Sequence, residues 1–376
     1  MRDRSPFIVH PPVPSITDTR LDLAAWLRLT LSPELSNTSV LALLHAFGQP
    51  EQVFTAPRAQ ICAAVGDKIA NALAKEAKAN DIDAAARWIG EPNHHFVGIG
   101  EKTYPAALMQ MPDPPAALYV QGRVELLSRP AFAIVGSRNA TAQGARDAQS
   151  FAHTLSNAGL AIVSGLALGI DAAAHRGGLR AKGSSIAVMG TGADRIYPPR
   201  NRDLAHELAS NGALVSEFPL ATPPLPGNFP RRNRLISGLS RGVLVVEAAL
   251  MSGSLITARF ALEQNRDVFA IPGSIHSPLA KGSHRLIKDG AKLVECAEDI
   301  PDELGLEHDP PTEPPAGPED DDTTLDAMGQ APVSVDELAE RTGDEAGDIA
   351  ARLSLLEIEG RIASVAGGLF QRLRGR

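Results

Sequence analysis

The stretch AFAIVGSRNATAQGARDAQSFAHTLSNAGLAIVSGLALGID, residues 131–171, decides the fold class. An apolar run, Phe132 to Val135, leads into a glycine turn and a helical stretch; a second run, Ala161 to Val163, leads into another glycine-rich turn. The same rhythm continues downstream at Ser185 to Val188, Ala213 to Val215, Val243 to Val246 and Val268 to Ile271, with a seventh candidate at Lys292 to Glu295. Strands that are apolar throughout are buried on both faces. The pattern therefore predicts an α/β protein, a parallel sheet sandwiched by helices that offers ligands the carboxyl ends of its strands.

Upstream, Phe96 to Ile99 and Ala117 to Val120 read as short strands that extend this sheet around a proline-rich loop. Residues 21–92 form a helical domain, with apolar positions at Leu23, Trp26, Leu27, Val40, Leu43, Leu44 and Phe47. Its segments Phe47-Gly48-Gln49-Pro50 and Val65-Gly66-Asp67-Lys68 resemble the hairpins of helix-hairpin-helix modules, which point amides at a phosphate; a purely scaffolding bundle has the same pattern. Residues 1–20, with Pro11, Pro12 and Pro14, read as a flexible arm. Residues 301–323 combine prolines and acids with few large apolar residues and read as a linker. Residues 324–376 give three short helices and a two-strand wing around Gly367-Gly368, the order of a winged helix.

The chain has 376 residues, 44% hydrophobic and 21% charged, which suits a multidomain globular protein rather than a disordered one. Two cysteines, Cys62 and Cys296, support neither a disulfide framework nor a four-thiolate metal site, so a reducing cytoplasm is expected. No apolar run approaches the roughly 18 residues of a membrane span. The net charge of −8 is unevenly spread. Residues 131–300 carry 18 basic and 13 acidic groups, whereas residues 301–361 carry 3 and 18. Only the central block suits an anionic partner.

Five turns at strand ends carry the candidate chemistry. Gly136-Ser137-Arg138-Asn139 lets backbone approach an anion while Ser and Arg donate to it. The second turn, Ser164 to Asp171, includes Gly165 and Gly169; Asp171 also reads as a cap for the helix Ala172 to Leu179. The third, Gly190-Thr191-Gly192, runs on to Tyr197-Pro198-Pro199-Arg200-Asn201, and the fourth is Ser216-Glu217-Phe218-Pro219. The segment after it, Asn228 to Ser240, places Arg231, Arg232 and Arg234 behind Phe229, offering phosphate neutralisation and an aromatic face for a base; the alternative is a solvated basic helix face. The fifth strand leads to Glu247 and to Ser252-Gly253-Ser254, where Ser254 is an N-cap candidate for a helix beginning at Leu255, with or without a phosphate.

Gly190-Thr191-Gly192-Ala193-Asp194-Arg195 fails the G-x-G-x-x-G fingerprint, and neither a Walker motif nor a paired metal motif occurs, so no cofactor or metal is expected. His175 and His206 lack a sequence-evident nucleophile and read as structural.

Together, Gly136-Ser137-Arg138, SGLALGID (164–171), Tyr197-Pro198, Ser216-Glu217-Phe218-Pro219, FPRRNRLISGLS (229–240), VVEAALMSGSLITA (245–258) and FAIPG (269–273) resemble the DNA-processing protein A family (DprA, also called Smf) over residues 96–296. The resemblance implies an extended Rossmann-like parallel sheet flanked by a small N-terminal helical domain of SAM or helix-hairpin-helix type and a C-terminal winged helix. It implies a recombination mediator that binds single-stranded DNA, dimerises through the Rossmann-like domain and loads RecA during natural transformation, without catalysis. Carried over by motif, Arg138, Arg200, Arg231, Arg232 and Arg234 become the phosphate-contacting set, and Gly136, Ser137, Gly165, Gly169, Ser252, Gly253 and Ser254 form the pocket. Arg200 stands where many relatives carry lysine, which keeps the charge and adds a fork.

The winged helix departs from the usual duplex binder. Residues 334–360 hold eight acids and two bases, so its third helix would repel phosphate and a protein-docking role is expected, with marginal DNA contact left to Arg361 and the arginines at 372, 374 and 376. The rival reading is an enzyme resembling nucleoside-monophosphate phosphoribohydrolases, with Glu247 beside Ser252-Gly253-Ser254 as its carboxylate; the P-G-G-x-G-T-x-x-E signature of that family is missing.

Overall fold

The computed structural model describes residues 22–305, 323–329 and 331–373. The expected arm 1–20 and most of the expected linker lie outside the described residues.

Five helices, α1 (Leu23–Thr30), α2 (Asn37–Phe47), α3 (Pro50–Thr55), α4 (Arg58–Leu73) and α5 (Ala79–Ile89), open the described chain. Ser36 accepts from the Ser39 amide at the start of α2, and Pro50 begins α3, where its missing N–H has no role to fill. Gly48 ends α2 with φ 86° and Gly66 breaks α4 with φ 83° and ψ 162°, so the backbone turns in both segments. The bundle rests on the sheet through an edge-to-face chain of rings, Trp26 to Phe96 at 6.1 Å and Phe96 to Tyr119 at 5.3 Å.

The sheet has nine strands: β1 (His94–Gly98), β2 (Ala117–Gly122), β3 (Ala131–Val135), β4 (Ala161–Ser164), β5 (Ser185–Val188), β6 (Ala213–Ser216), β7 (Gly242–Val245), β8 (Asp267–Ala270) and β9 (Lys292–Leu293). Their order is β1-β2-β6-β5-β4-β3-β7-β8-β9, parallel from β6 to β9, with β1 and β2 antiparallel at one edge. All seven expected parallel strands form. The seventh is shorter than expected, two residues instead of four, because it pairs only along β8 at the open edge.

Intervening helices cover both faces: α6 (Ala142–Asn157), α7 (Ile170–Leu179) and α8 (Arg202–Asn211) on one, α9 (Asn228–Leu239) and α10 (Ser254–Glu263) on the other. Alternation along β3 supplies both cores, Phe132 and Ile134 facing α6 and α7 while Ala133 and Val135 face α9. Helices α11 (Lys281–Lys288) and α12 (Asp299–Glu303) follow. Ile300 of α12 is fully buried in the α6 core, so residues 301–303 are helix where linker was expected.

From β3, the first strand of the parallel block, the chain steps to β4, β5 and β6, then crosses to β7, β8 and β9 on the other side. The reversal opens a crevice between the carboxyl ends of β3 and β7, the place where open α/β sheets bind ligands.

The C-terminal unit comprises α13 (Thr323–Met328), α14 (Val335–Thr342), α15 (Ala346–Ile358) and the wing β10 (Ile362–Val365) and β11 (Leu369–Arg372) around Gly367-Gly368. Its own core gathers Leu325, Met328, Leu338, Ile349, Leu353, Leu356 and Ile362. It touches the α/β unit at α6, where the Arg146 guanidinium donates to the Gly360 carbonyl at 3.4 Å. Among the described residues, no helix is long and apolar enough to cross a membrane.

Candidate nucleic-acid interface

All five turns meet at the carboxyl edge of the sheet, with the N-terminal half of α9 lying among them. The turn after β3 joins the turn after β4 where the Ile170 amide donates to the Ser137 carbonyl at 3.1 Å. Gly169, with φ +74°, packs so tightly on the Ser137 and Arg138 carbonyls that a side chain would collide with them. Gly136 packs between Ile170 and the Glu247 carbonyl, bringing the β3 and β7 turns together across the crevice. Phe229 of α9 lies against Gly190, where a Cβ would stand 2.8 Å from the ring, and the Arg138 guanidinium sits 5.9 Å from the ring centroid. Asn233 reaches the Gly253 carbonyl at 3.4 Å.

The arginines divide into two kinds. Arg138, Arg200 and Arg231 are exposed. Arg138 and Arg200 enter no ion pair among the described residues, whereas Arg231 lies 3.2 Å from the Glu217 carboxylate and above the Phe218 ring. Arg232 and Arg234, expected to contact phosphate, turn inward instead because a helix must bury one side on the sheet. Arg232 is 5% exposed and donates to the carbonyls of Gly165, at 2.6 Å, and Val188. Arg234 is buried against Glu217 and the Asp113 carbonyl, tying α9 to the proline-rich loop before β2.

Asp171 is not the helix cap expected of it. Its carboxylate accepts from the Gly165 amide at 3.1 Å and the Ala167 amide at 3.3 Å, folding the loop back over α7. Burial pushes this carboxyl upward and the Arg232 guanidinium pulls it back. Burial also lowers Arg232 to about 10, so the guanidinium stays charged at neutral pH. Asn201 latches the same loop by donating to the Leu166 and Ala167 carbonyls at 2.9 and 3.1 Å.

Ser254 likewise is the first residue of α10 rather than its cap. Gly253 occupies the cap position, and the Ser252 hydroxyl both accepts from the Ser254 amide at 3.3 Å and meets the Ser254 hydroxyl at 2.7 Å. Ser137 is buried, its hydroxyl accepting from the Asn139 amide at 3.1 Å.

Glu247, the carboxylate on which the enzyme reading depends, is held by structure. It accepts from the Thr141 amide at 3.0 Å and the Thr141 hydroxyl at 2.6 Å while Thr141 caps α6.

His175, fully buried beneath the second turn, accepts the Leu166 amide on Nε2 at 3.2 Å and meets the Ser185 hydroxyl through Nδ1 at 2.8 Å. Ser185 spends its own proton on the Ile162 carbonyl, so the ring is neutral with its proton on Nδ1. Burial, reinforced by Arg232 and Arg176, lowers this histidine to about 3. The unfolded ring titrates near pH 6.5, so between those values the unfolded chain binds the extra proton and stability falls as pH falls. A His175→Gln variant is expected to lose stability less steeply from pH 6.5 to 4 than the native chain. Urea midpoints across that range check this, and parallel curves would exclude His175 as the titrating group.

Sequence reasoning placed Asn201 and Glu217 in the candidate turns without their structural partners, and gave Asn233 no role. Their residue types are common in turns and helix starts, and only the partners distinguish them.

Comparison with known proteins shows the family to which this fold belongs. The family described as DNA recombination-mediator protein A matches residues 95–305, and the DprA winged helix domain matches residues 308–368. Protein Smf of Escherichia coli (strain K12) is 41% identical over 370 residues, covering 94% of this chain and 96% of that protein. DNA processing protein DprA of Bacillus subtilis (strain 168) is 46% identical over 225 residues, covering 60% and 76%. The X-ray structure of DprA from Streptococcus pneumoniae superposes with a TM-score of 0.66 at 35% identity, covering 77% of this chain and 100% of that one. DNA processing protein A from Helicobacter pylori, whose structure describes a single-stranded DNA binding mode, superposes with a TM-score of 0.51 at 31% identity, covering 56% and 95%. With two matching domains, a relative aligned along almost its whole length and a shared fold, this chain belongs to the DprA/Smf family of DNA recombination-mediator proteins.

Proposed function

We propose that this protein binds single-stranded DNA, protects incoming strands and loads the RecA recombinase onto them during natural transformation. In this reading it works in the cytoplasm as a homodimer joined through its Rossmann-like domain and carries out no catalysis. The observation that carries the reading is that Arg138, Arg200 and Arg231 stand exposed on the turns and helix start at one sheet edge, with the Arg138 guanidinium beside the Phe229 ring. The strand lies along that edge, its phosphates held by these arginines and by amides of the turns at Gly136-Ser137, Gly165 to Gly169 and Ser252-Gly253-Ser254. Arg232 and Arg234 shape this surface from within. Two protomers side by side would lengthen the track and favour long strands.

The proposed division is an arm over 1–20, a helical domain over 21–92, a Rossmann-like domain from 93, a linker and a winged helix from 324. Because α12 packs into the α6 core, the Rossmann-like domain extends to residue 305. The winged helix is assigned to protein docking. Across residues 334–360 its two bases, Arg341 and Arg352, are paired with Glu337 and Asp344, while Leu355 and Ile358 of α15 stand exposed among acids. Such a face repels phosphate.

One experiment tests both assignments. Salt-titrated gel shifts with an oligothymidylate are expected to show steep salt dependence and less than a tenfold affinity difference between the full chain and one ending at residue 305. A tenfold loss on truncation overturns the docking assignment. Release of adenine from AMP, with no strand binding, overturns the mediator reading in favour of a hydrolase.

A further inference from the structure

We propose that Tyr197 is the surface on which this chain stacks a nucleobase, with Phe229 as the ring beneath it; the inference rests on the single-stranded DNA reading above. Phe229 is the aromatic residue that the arginine-rich segment brings to the site, but its surroundings already occupy it. Gly190 lies under the ring, the Arg138 guanidinium is 5.9 Å from its centroid, and the Tyr197 ring meets it at 5.6 Å with a tilt of 44°. Tyr197 has no such cover. It is 43% exposed, and its hydroxyl makes no hydrogen bond among the described residues.

The backbone that carries Tyr197 is pinned on both sides. Before it, the Arg195 amide donates to the Gly192 carbonyl at 3.0 Å and the Thr191 hydroxyl donates to the Arg195 carbonyl at 2.6 Å. After it, the Asn201 amide donates to the Pro198 carbonyl at 3.1 Å, and the Asn201 side chain is locked to the Gly165 to Gly169 loop. An aromatic ring held at a fixed place on a rigid turn loses little freedom when a base settles on it, which is the condition for stacking to add affinity.

Two exposed arginines neighbour the Tyr197–Phe229 ring pair. Arg138 lies beyond Phe229, and Arg200 follows Tyr197 by three positions on the same turn, both exposed. A strand whose phosphates engage these arginines brings its bases within reach of the tyrosine. A base that stacks there is held through its π-face, which every base has, so the contact distinguishes strands with bases from bare sugar-phosphate without choosing among sequences.

The test uses the full chain and two oligonucleotides of equal length, an oligothymidylate and one whose central residues are abasic. The native protein is expected to prefer the oligothymidylate. Tyr197→Ala is expected to weaken oligothymidylate binding by roughly tenfold, leaving abasic binding and the salt slope unchanged, and Tyr197→Phe is expected to restore the preference. A 2-aminopurine placed centrally should be quenched by the native protein and not by Tyr197→Ala. If Tyr197→Ala weakens both oligonucleotides equally, or neither, stacking on Tyr197 is overturned. If the native protein binds both equally and with steep salt dependence, stacking fails while the single-stranded DNA reading stands. If it binds neither, that reading itself fails.

Discussion

Arg138→Ala is expected to weaken single-stranded DNA binding by about 1 to 3 kcal/mol and to reduce the slope of log affinity against log salt by about 0.7, the share of one phosphate contact on a single strand. Arg231→Ala should act in the same direction but more weakly. The reason is competition. Arg138 is exposed beside the Phe229 ring and enters no ion pair among the described residues, so its charge is available to a phosphate. Arg231 already faces the Glu217 carboxylate at 3.2 Å, and a phosphate must outbid or share that partner. Binding isotherms at several salt concentrations measure both quantities at once. An unchanged slope in Arg138→Ala would contradict direct contact, and a larger loss in Arg231→Ala than in Arg138→Ala would contradict the ranking.

Arg232→Ala, one position further on, should fail in a different way. The native guanidinium is sealed beneath the second turn, where it supplies the Gly165 and Val188 carbonyls and its charge partly offsets the cost of burying the Asp171 carboxylate. Its removal leaves two buried carbonyls without this donor and withdraws the positive charge that acts on the buried Asp171 carboxylate, at about 3 to 5 kcal/mol. In a domain of this size that corresponds to a drop of roughly 6 to 20 °C in Tm. The neighbouring Arg231→Ala, on the surface, should change Tm by little, since exposed substitutions usually stay within about 0.5 kcal/mol. Thermal unfolding of the two variants side by side is the measurement. An unaltered Tm in Arg232→Ala together with lost DNA affinity would return Arg232 to the phosphate-contacting set.

The contrast between these two arginines shows where linear reading stops. Apolar runs with glycine turns made the sheet legible, since a strand buried on both faces has to be apolar on both alternations; Ala131–Val135 is one of several. The two edge strands and the winged helix were legible for similar reasons of periodicity and turn chemistry. The interruption of the acidic segment by α12 was not, because a five-residue helix anchored by Ile300 has no periodicity to detect. Ser254 and Asp171 looked like caps because their residue types favour that role. Their partners turned out to be a neighbouring hydroxyl and a preceding loop.

What the sequence determined by itself is the α/β class, the candidate turns and the family, because local periodicity and motif spacing are properties of neighbouring residues. Only the tertiary structure decided which arginines face solvent, which ring at the site is uncovered and which carboxylate is already engaged. Those outcomes depend on a helix's rotation about its own axis and on which side chains from distant segments meet it. In Arg231 and Arg232, adjacent in sequence and of identical chemistry, that rotation of about 100° per residue separates a surface charge from an internal brace.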